Sequence, residues 1–193
     1  ELEPLTDYSK YKAVCEQELM EEREKGFVTC VVRPATVCGY SPRQRLDVVV
    51  NILTNFAVNK GAIRVFGGSQ KRPNIHIEDM ANLYLFLLQK DDLEIDGQIF
   101  NASYENHTVM QLAEIVRNVV GNDIAINIEA TNDLRSYQVS SNKIRTELGF
   151  TPAHSIEDAV IDLVAAMKDG RLINTMDDPR YFNIMLMQDI DLR

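Results

Sequence analysis

Phe27-Val28-Thr29-Cys30-Val31-Val32 is apolar and β-branched with almost no alternation, and Arg33-Pro34 follows it at once. A run of this kind fits a strand covered on both faces, as in a parallel sheet. Pro34 fixes the backbone just beyond the strand, and Gly39 and Pro42 interrupt what comes next. The stretch from Arg33 to Arg45 is therefore expected to be a loop at the strand's C-terminal end. In an open α/β sheet that edge is where ligands sit, although a rigid surface loop would carry the same residues.

Working back from the strand, Thr6 or Asp7 can cap a helix that runs to about Lys25 and stops at Gly26. Tyr11, Val14, Cys15 and Leu19 form its apolar stripe, with Glu16, Glu21, Glu22 and Arg23 expected to face water. In its first turns stands Asp7-Tyr8-Ser9-Lys10-Tyr11-Lys12. Positions i and i+4 share a helical face, so Tyr8 and Lys12 point the same way about 6 Å apart. A phenol is a weak base near neutral pH, and an ammonium beside it favours the phenolate. Such a tyrosine can exchange protons with a substrate. The same spacing also occurs on ordinary exposed turns.

Working forward, Leu46, Val49, Val50, Leu53 and Ala57 mark an amphipathic helix ending near Lys60-Gly61, with Asn51 and Asn55 off its stripe. A strand over Ile63 to Phe66 leads into Gly67-Gly68-Ser69-Gln70-Lys71-Arg72, a turn whose amides and arginine could meet one anion, or a plain hairpin. Asn74 to Ile77 reads as a short alternating strand. Glu78 or Asp79 opens a helix with Met80, Leu83, Tyr84, Leu87 and Leu88 on one stripe. His76 reads as a buried histidine tying that strand to nearby backbone, and no metal is expected. Gly97 to Ala102 is a further strand, and Thr108 to Gln111 is a capping box opening a helix. Ile124, Ile126 and Ile128 alternate as a strand with one covered face, Ser141 to Leu148 is a polar helix, and Ser155 opens the last strong helix, stopped by Gly170. The apolar stretch Tyr181 to Met187 must pack on something.

With 193 residues, 45% hydrophobic and 25% charged, the chain can bury a core. A net charge of -9 argues against nucleic acid as partner. No apolar run approaches a membrane span and no basic-then-apolar leader is present, so no membrane partner is expected. Cys15, Cys30 and Cys38 are odd in number without metal spacing, and read as reduced thiols of a cytoplasmic protein.

Asp7-Tyr8-Ser9-Lys10-Tyr11-Lys12, then Arg33-Pro34-Ala35-Thr36-Val37-Cys38-Gly39, then Arg72-Pro73-Asn74-Ile75-His76-Ile77-Glu78-Asp79 occur in that order. In this the chain resembles the extended short-chain dehydrogenase/reductase family, in particular its NAD-dependent nucleotide-sugar epimerases and dehydratases, from about Pro4 to about Leu163. The resemblance implies an α/β fold: the C-terminal part of a Rossmann-like parallel sheet plus a smaller mixed α/β substrate-binding domain. Residues 1–40 would end the dinucleotide-binding domain, 41–70 would be a substrate-domain insertion, 71–104 would return to the sheet, and 105–193 would form the substrate-binding domain and tail. It also implies NAD as cofactor, with NADP open, a nucleotide-sugar substrate and a homodimer. Tyr8 and Lys12 would be catalytic, and both would touch the cofactor together with Pro34 and Thr36. Thr36, Arg72 and Arg135 would bind substrate, the arginines at its diphosphate. Many relatives have asparagine where Thr36 stands, a departure at that contact. Asp133 beside Arg135 would equally make an ordinary surface ion pair.

No glycine-rich strand-to-helix turn for a dinucleotide occurs, and Gly67-Gly68 is the single glycine pair. The expectation is thus a C-terminal portion of a longer enzyme that oxidises a sugar hydroxyl with Tyr8 as base. The alternatives are a catalytically inert substrate-binding or self-associating module, and a related NAD(P)-dependent reductase.

Overall fold

A computed structural model describes residues 7–132 and 135–190. The Thr6 cap and the Asp133 ion pair lie outside the described residues. Among them, seven strands form three small sheets, with helices packed against them.

Helix α1 (Asp7–Glu24) is followed by strand β1 (Cys30–Pro34) and, after the single residue Ala35, by strand β2 (Thr36–Cys38). This corrects the reading of residues 33 onward as loop. It also shifts the first strand, which begins at Cys30 and not at Phe27. Phe27 and Val28 are exposed, and Cys30 to Arg33 are only half-buried. Apolarity set the expectation of two covered faces, whereas β1 is half-buried, with Glu16 of α1 bonded to Arg33.

At Ala35, whose N–H donates to the Ala102 carbonyl at 2.7 Å, the chain changes partners. β1 runs parallel to β5 (Gln98–Ala102), whereas β2 runs parallel to β4 (Lys71–His76). β4 is also antiparallel to β6 (Glu105–Thr108), and β3 (Ala62–Phe66) runs parallel to β7 (Ala125–Glu129). Pro73, Asn74, Ile75 and His76 are all buried, so β4 does not alternate as expected. Its flanks are occupied by β2 and β6 and both its faces by side chains.

Helix α2 (Val49–Lys60) ends where Gly61 turns left-handed at φ 63°, and its N–H bonds the Ala57 carbonyl. It packs Val50, Leu53 and Ala57 with Ile63 and Val65, Leu112, Ala113 and Val116 of α5 (Val109–Val120), and Ile156, Ala159 and Val160 of α7 (Ile156–Lys168). Both later helices begin with reciprocal caps, Thr108 with Gln111 and Ser155 with Asp158. A second core joins Ile75 and Phe100 to Met80, Leu83 and Leu87 of α3 (Ile77–Leu87), and to Ile144 and Leu148 of α6 (Asn142–Leu148). Tyr84 and Leu88 of the α3 stripe are exposed. A short helix, α4 (Asp92–Ile95), precedes β5. In β7, Ile126 is only half-buried and Ile128 is exposed.

Three polar expectations are reversed. Asn51 and Asn55, read as off the stripe, are 3% and 1% exposed because each bonds backbone: Asn51 to Gly39 N and Arg45 O, Asn55 to Thr175 O. Glu16 is not a water-facing carboxylate but the partner of Arg33. The tail folds into a 3-10 turn (Pro179–Tyr181) and helix α8 (Asn183–Asp189), and Tyr181 packs on Leu163 and Leu172.

Candidate functional site

Tyr8 and Lys12 share one face of α1, with Lys12 Nζ 5.8 Å from the centre of the Tyr8 ring. The helix has no fully buried residue, which corrects the stripe of Tyr11, Val14, Cys15 and Leu19: the first three are exposed and Leu19 is half-buried. Ion pairs register it instead. One turn beyond Lys12, both Glu16 oxygens accept from Arg33, Oε2 from Nε at 2.9 Å and Oε1 from Nη2. The bonded carboxylate holds the Arg33 guanidinium above its ordinary basicity. Near the helix end, Arg23 Nε donates to Asp96 Oδ2 at 3.0 Å, while Asp96 Oδ1 accepts from Thr29 N at 3.2 Å.

The Tyr8 ring opens on a cleft of about 420 Å³, walled by Pro34, Thr36, Arg43, Arg45 and Tyr137 among others. Among the described residues no aspartate or glutamate lines it, although the chain carries 29 acidic against 20 basic residues. The cleft is therefore locally electropositive and suited to an anionic ligand.

Two buried amides build its floor. Gln44, 3% exposed, accepts from Ser41 N at 3.0 Å and donates to the carbonyls of Gly39 at 3.3 Å and Arg45 at 2.9 Å. Asn51 grips the loop from α2, accepting from Gly39 N at 3.1 Å and donating to Arg45 O at 2.8 Å. Gly39 itself has φ +106°, and a Cβ there would stand 3.2 Å from His76 Nε2 and from Ile77 Cγ2. Only glycine fits without displacing its neighbours.

The two substrate-anchor candidates lie together. Arg72 Nη1 donates to the carbonyls of Lys71, at 3.1 Å, and of Arg135, and its guanidinium lies 6.0 Å from the Tyr137 ring centre. Tyr137 N donates to Lys71 O at 3.4 Å, and Lys71 N to Ser136 Oγ at 3.0 Å, so residues 135–137 run along the start of β4. Tyr137 lines the cleft. Lys12, Arg72 and Arg135 do not line it, and border it through Tyr8 and Tyr137. The anion-binding turn expected at Gly67 to Arg72 is absent. Arg72 is in β4, Gly67 N bonds Glu129 O at 2.8 Å, and Gly68 N is taken by Gln70 Oε1 at 2.7 Å.

His76 is fully buried, as read from sequence, and its Nδ1 accepts from Glu78 N at 3.1 Å. It stacks on His154, ring centres 4.8 Å apart. His154 Nδ1 meets Asp79 Oδ1 at 2.9 Å and its Nε2 lies 3.3 Å from Glu78 Oε2. The Asp79 bond, then the surrounding carboxylates, hold the His154 imidazole above its ordinary pKa. Ligand atoms of His76, Glu78 and His154 lie within 4.8 Å of one another. Because His76 Nδ1 accepts a hydrogen bond, Nε2 carries the proton in the neutral ring, 3.3 Å from Asp162 Oδ2. A separate cavity of about 420 Å³ lies between Ser103, Asn106, Ser141 and Phe150.

Sequence reasoning missed Arg43, Gln44, Arg45, Asn51 and Tyr137. The available signal was Pro42-Arg43-Gln44-Arg45, two guanidiniums two residues apart in a segment already assigned to the ligand-bearing sheet edge.

The chain belongs to the NAD dependent epimerase/dehydratase family, whose family model matches residues 1–103. It is 32% identical over 100 residues to a UDP-glucose 4-epimerase of Corynebacterium glutamicum, a match over 48% of this chain and 30% of that protein. A crystal structure of UDP-glucose 4-epimerase with UDP-glucose from Thermotoga maritima superposes at TM-score 0.75 with 26% identity, over 88% of this chain and 56% of that one. UDP-glucuronic acid 4-epimerase from Bacillus cereus, in complex with UDP-glucuronic acid and NAD, has the same fold at TM-score 0.75 and 20% identity, over 88% of this chain and 55% of that one. The chain thus spans little more than half the length of these solved structures. Its parallel strands and flanking helices are Rossmann-like. Among the described residues no helix is long and apolar enough to cross a membrane.

Proposed function

We propose that the Tyr8 cleft is one wall of a nucleotide-sugar epimerase or dehydratase site, in which Tyr8 exchanges a proton with a sugar hydroxyl. The observation that carries this reading is the Tyr8–Lys12 pair, ring to ammonium 5.8 Å, opening on a cleft that no described carboxylate lines. The donor set suits a nicotinamide nucleotide: Lys12 offers an ammonium for ribose hydroxyls, Thr36 a hydroxyl, and Pro34, Ala35 and Val37 an apolar wall. When bound, that cofactor takes up and returns the hydride of the sugar carbon. NAD and NADP serve this role alike. Tyr8 removes the hydroxyl proton as the carbon is oxidised and gives it back on reduction. Arg72 and Arg135, neighbours through the Arg135 carbonyl, anchor the diphosphate by charge-assisted hydrogen bonds.

Calorimetry of this chain with NAD, UDP-glucose and a GDP-sugar tests the reading, together with turnover by the longest natural polypeptide that contains these residues. Heat on adding a nucleotide sugar, and loss of turnover by two or more orders of magnitude in Tyr8→Phe, are expected. Full activity in Tyr8→Phe would remove the proton-transfer role. The bare face of α1 favours a second reading, a substrate-binding or self-associating module, including a homodimer. Nucleotide-sugar binding without NAD binding, or a dimer in sedimentation that buries Tyr8, would support it.

A further inference from the structure

We infer that Arg43 is a subsite for a second anion on the ligand, a carboxylate of the sugar itself, so that the preferred substrate class is a nucleotide-activated sugar acid. The inference rests on the proposed function for its nucleotide part, and on the following geometry for its acid part.

Arg43 lines both the Tyr8 cleft and a neighbouring cavity of about 450 Å³ formed with Tyr40, Leu172 and Tyr181. Its hydrogen bonds all go to neutral oxygens: Nη1 to the carbonyls of Gln44 at 3.2 Å and Arg180 at 3.0 Å, and Nη2 to Asn183 Oδ1 at 3.4 Å. Its neighbours differ. Arg45 is balanced by Asp47 at 2.9 Å, Arg171 by Asp169 at 3.2 Å and Arg180 by Asp178 at 2.6 Å. Arg43 has no carboxylate among the described residues, so it is the uncompensated charge of the loop.

A guanidinium has five N–H donors, and these bonds use three. The Nε–H and one Nη2 hydrogen remain, and an Nε/Nη2 edge is a fork that matches a carboxylate with two parallel bonds. The arginine is also held ready. Gln44 and Asn51 lock the loop on both sides of it, and the tail straps over it, with Leu46 N on Tyr181 O at 2.9 Å and Asn183 N on Asp47 Oδ2 at 3.0 Å. Arg43 is exposed, so the donors that these bonds leave over are reachable from solvent. An incoming carboxylate completes the fork. Arg72 and Arg135 border the cleft through Tyr137, leaving Arg43 for a group at the sugar end, beside Tyr8.

The test uses this chain with UDP, UDP-glucose and UDP-glucuronate in calorimetry. It also uses free glucuronate against free glucose, read on the Arg43 side-chain Nε–Hε resonance. UDP-glucuronate is expected to bind roughly tenfold or more tighter than UDP-glucose, the size of one charge-assisted bidentate contact. In Arg43→Gln the ratio falls to near one, and in Arg43→Lys, which keeps the charge and loses the fork, it is intermediate. The Arg43 resonance shifts with glucuronate and not with glucose, which needs no variant and is independent of the nucleotide site. Equal affinity for the two sugars with UDP bound would overturn the acid subsite and leave the nucleotide reading standing. A glucuronate shift with no UDP binding would support the subsite and sink the nucleotide reading. Silence in both arms would overturn both.

Discussion

Asp79→Asn probes the joint that fixes β4 and α3 against the start of α7. Asp79 is 2% exposed and accepts three hydrogen bonds, each of 2.9 Å, from Ala153 N, His154 N and His154 Nδ1. A carboxamide keeps one acceptor and turns a donor toward a donor, so at least one N–H is left facing NH2. Bonds to a charged acceptor contribute about 1.5–3 kcal/mol each and are not additive, giving an expected loss of about 2–4 kcal/mol. For a domain of this size that lowers Tm by about 2–4 °C for each kcal/mol. The pH dependence carries the sharper signature. The Asp79 bond, the largest cause, raises the His154 pKa above its ordinary value near 6.5. A raised folded-state pKa contributes stability fully present below the unfolded value and lost as pH rises through the folded one. Urea unfolding of both proteins from about pH 5 to 9 should therefore show the difference between them largest at the acid end and narrowing above neutrality. A difference below about 0.5 kcal/mol, or one that does not change with pH, would refute the reasoning.

Glu16→Gln breaks the fork that registers α1. With Arg33 38% exposed, the cost is held to about 1 kcal/mol and should shrink in high salt, and a double-mutant cycle with Arg33→Gln measures the coupling. Cys38 is 1% exposed and its thiol is pushed up to about 12 by burial and then by Glu105. Cys15, which is exposed, should react with a maleimide near pH 7.5 in the folded protein, while Cys38 reacts only on unfolding. Phe100→Ala, removing a side chain with no exposed surface from the second core, should cost about 3–5 kcal/mol in denaturant unfolding.

What the sequence disclosed is what local spacing controls. The Tyr8–Lys12 pair, the stripe of α2, its stop at Gly61 and the capping box at Thr108 all depend on residues three to four apart, and all stand as read. The failures are tertiary. Phe27 to Val32 is apolar whether or not anything covers it, and the stripe of α1 gives no sign that Tyr11, Val14 and Cys15 stay exposed. A strand of three residues, Thr36 to Cys38, hides between Pro34 and Gly39 because its pairing with β4 is decided 38 positions later, Thr36 opposite Asn74. Polarity misled at Asn51 and Asn55, where a side-chain amide is buried to satisfy loop backbone groups. For the same reason the site was half legible. The helix carrying Tyr8 announces itself, whereas Arg43 acquires its place from a tail more than a hundred residues downstream.

Amide chemical-shift mapping with UDP-glucose tests the proposed site at the Tyr8 cleft most directly. The account predicts shifts that concentrate on Thr36, Gly39, Arg43 and Tyr137, reach Arg72, and spare the cavity between Ser103 and Phe150. Saturable shifts centred on that second cavity, with the residues around Tyr8 unmoved, would contradict it.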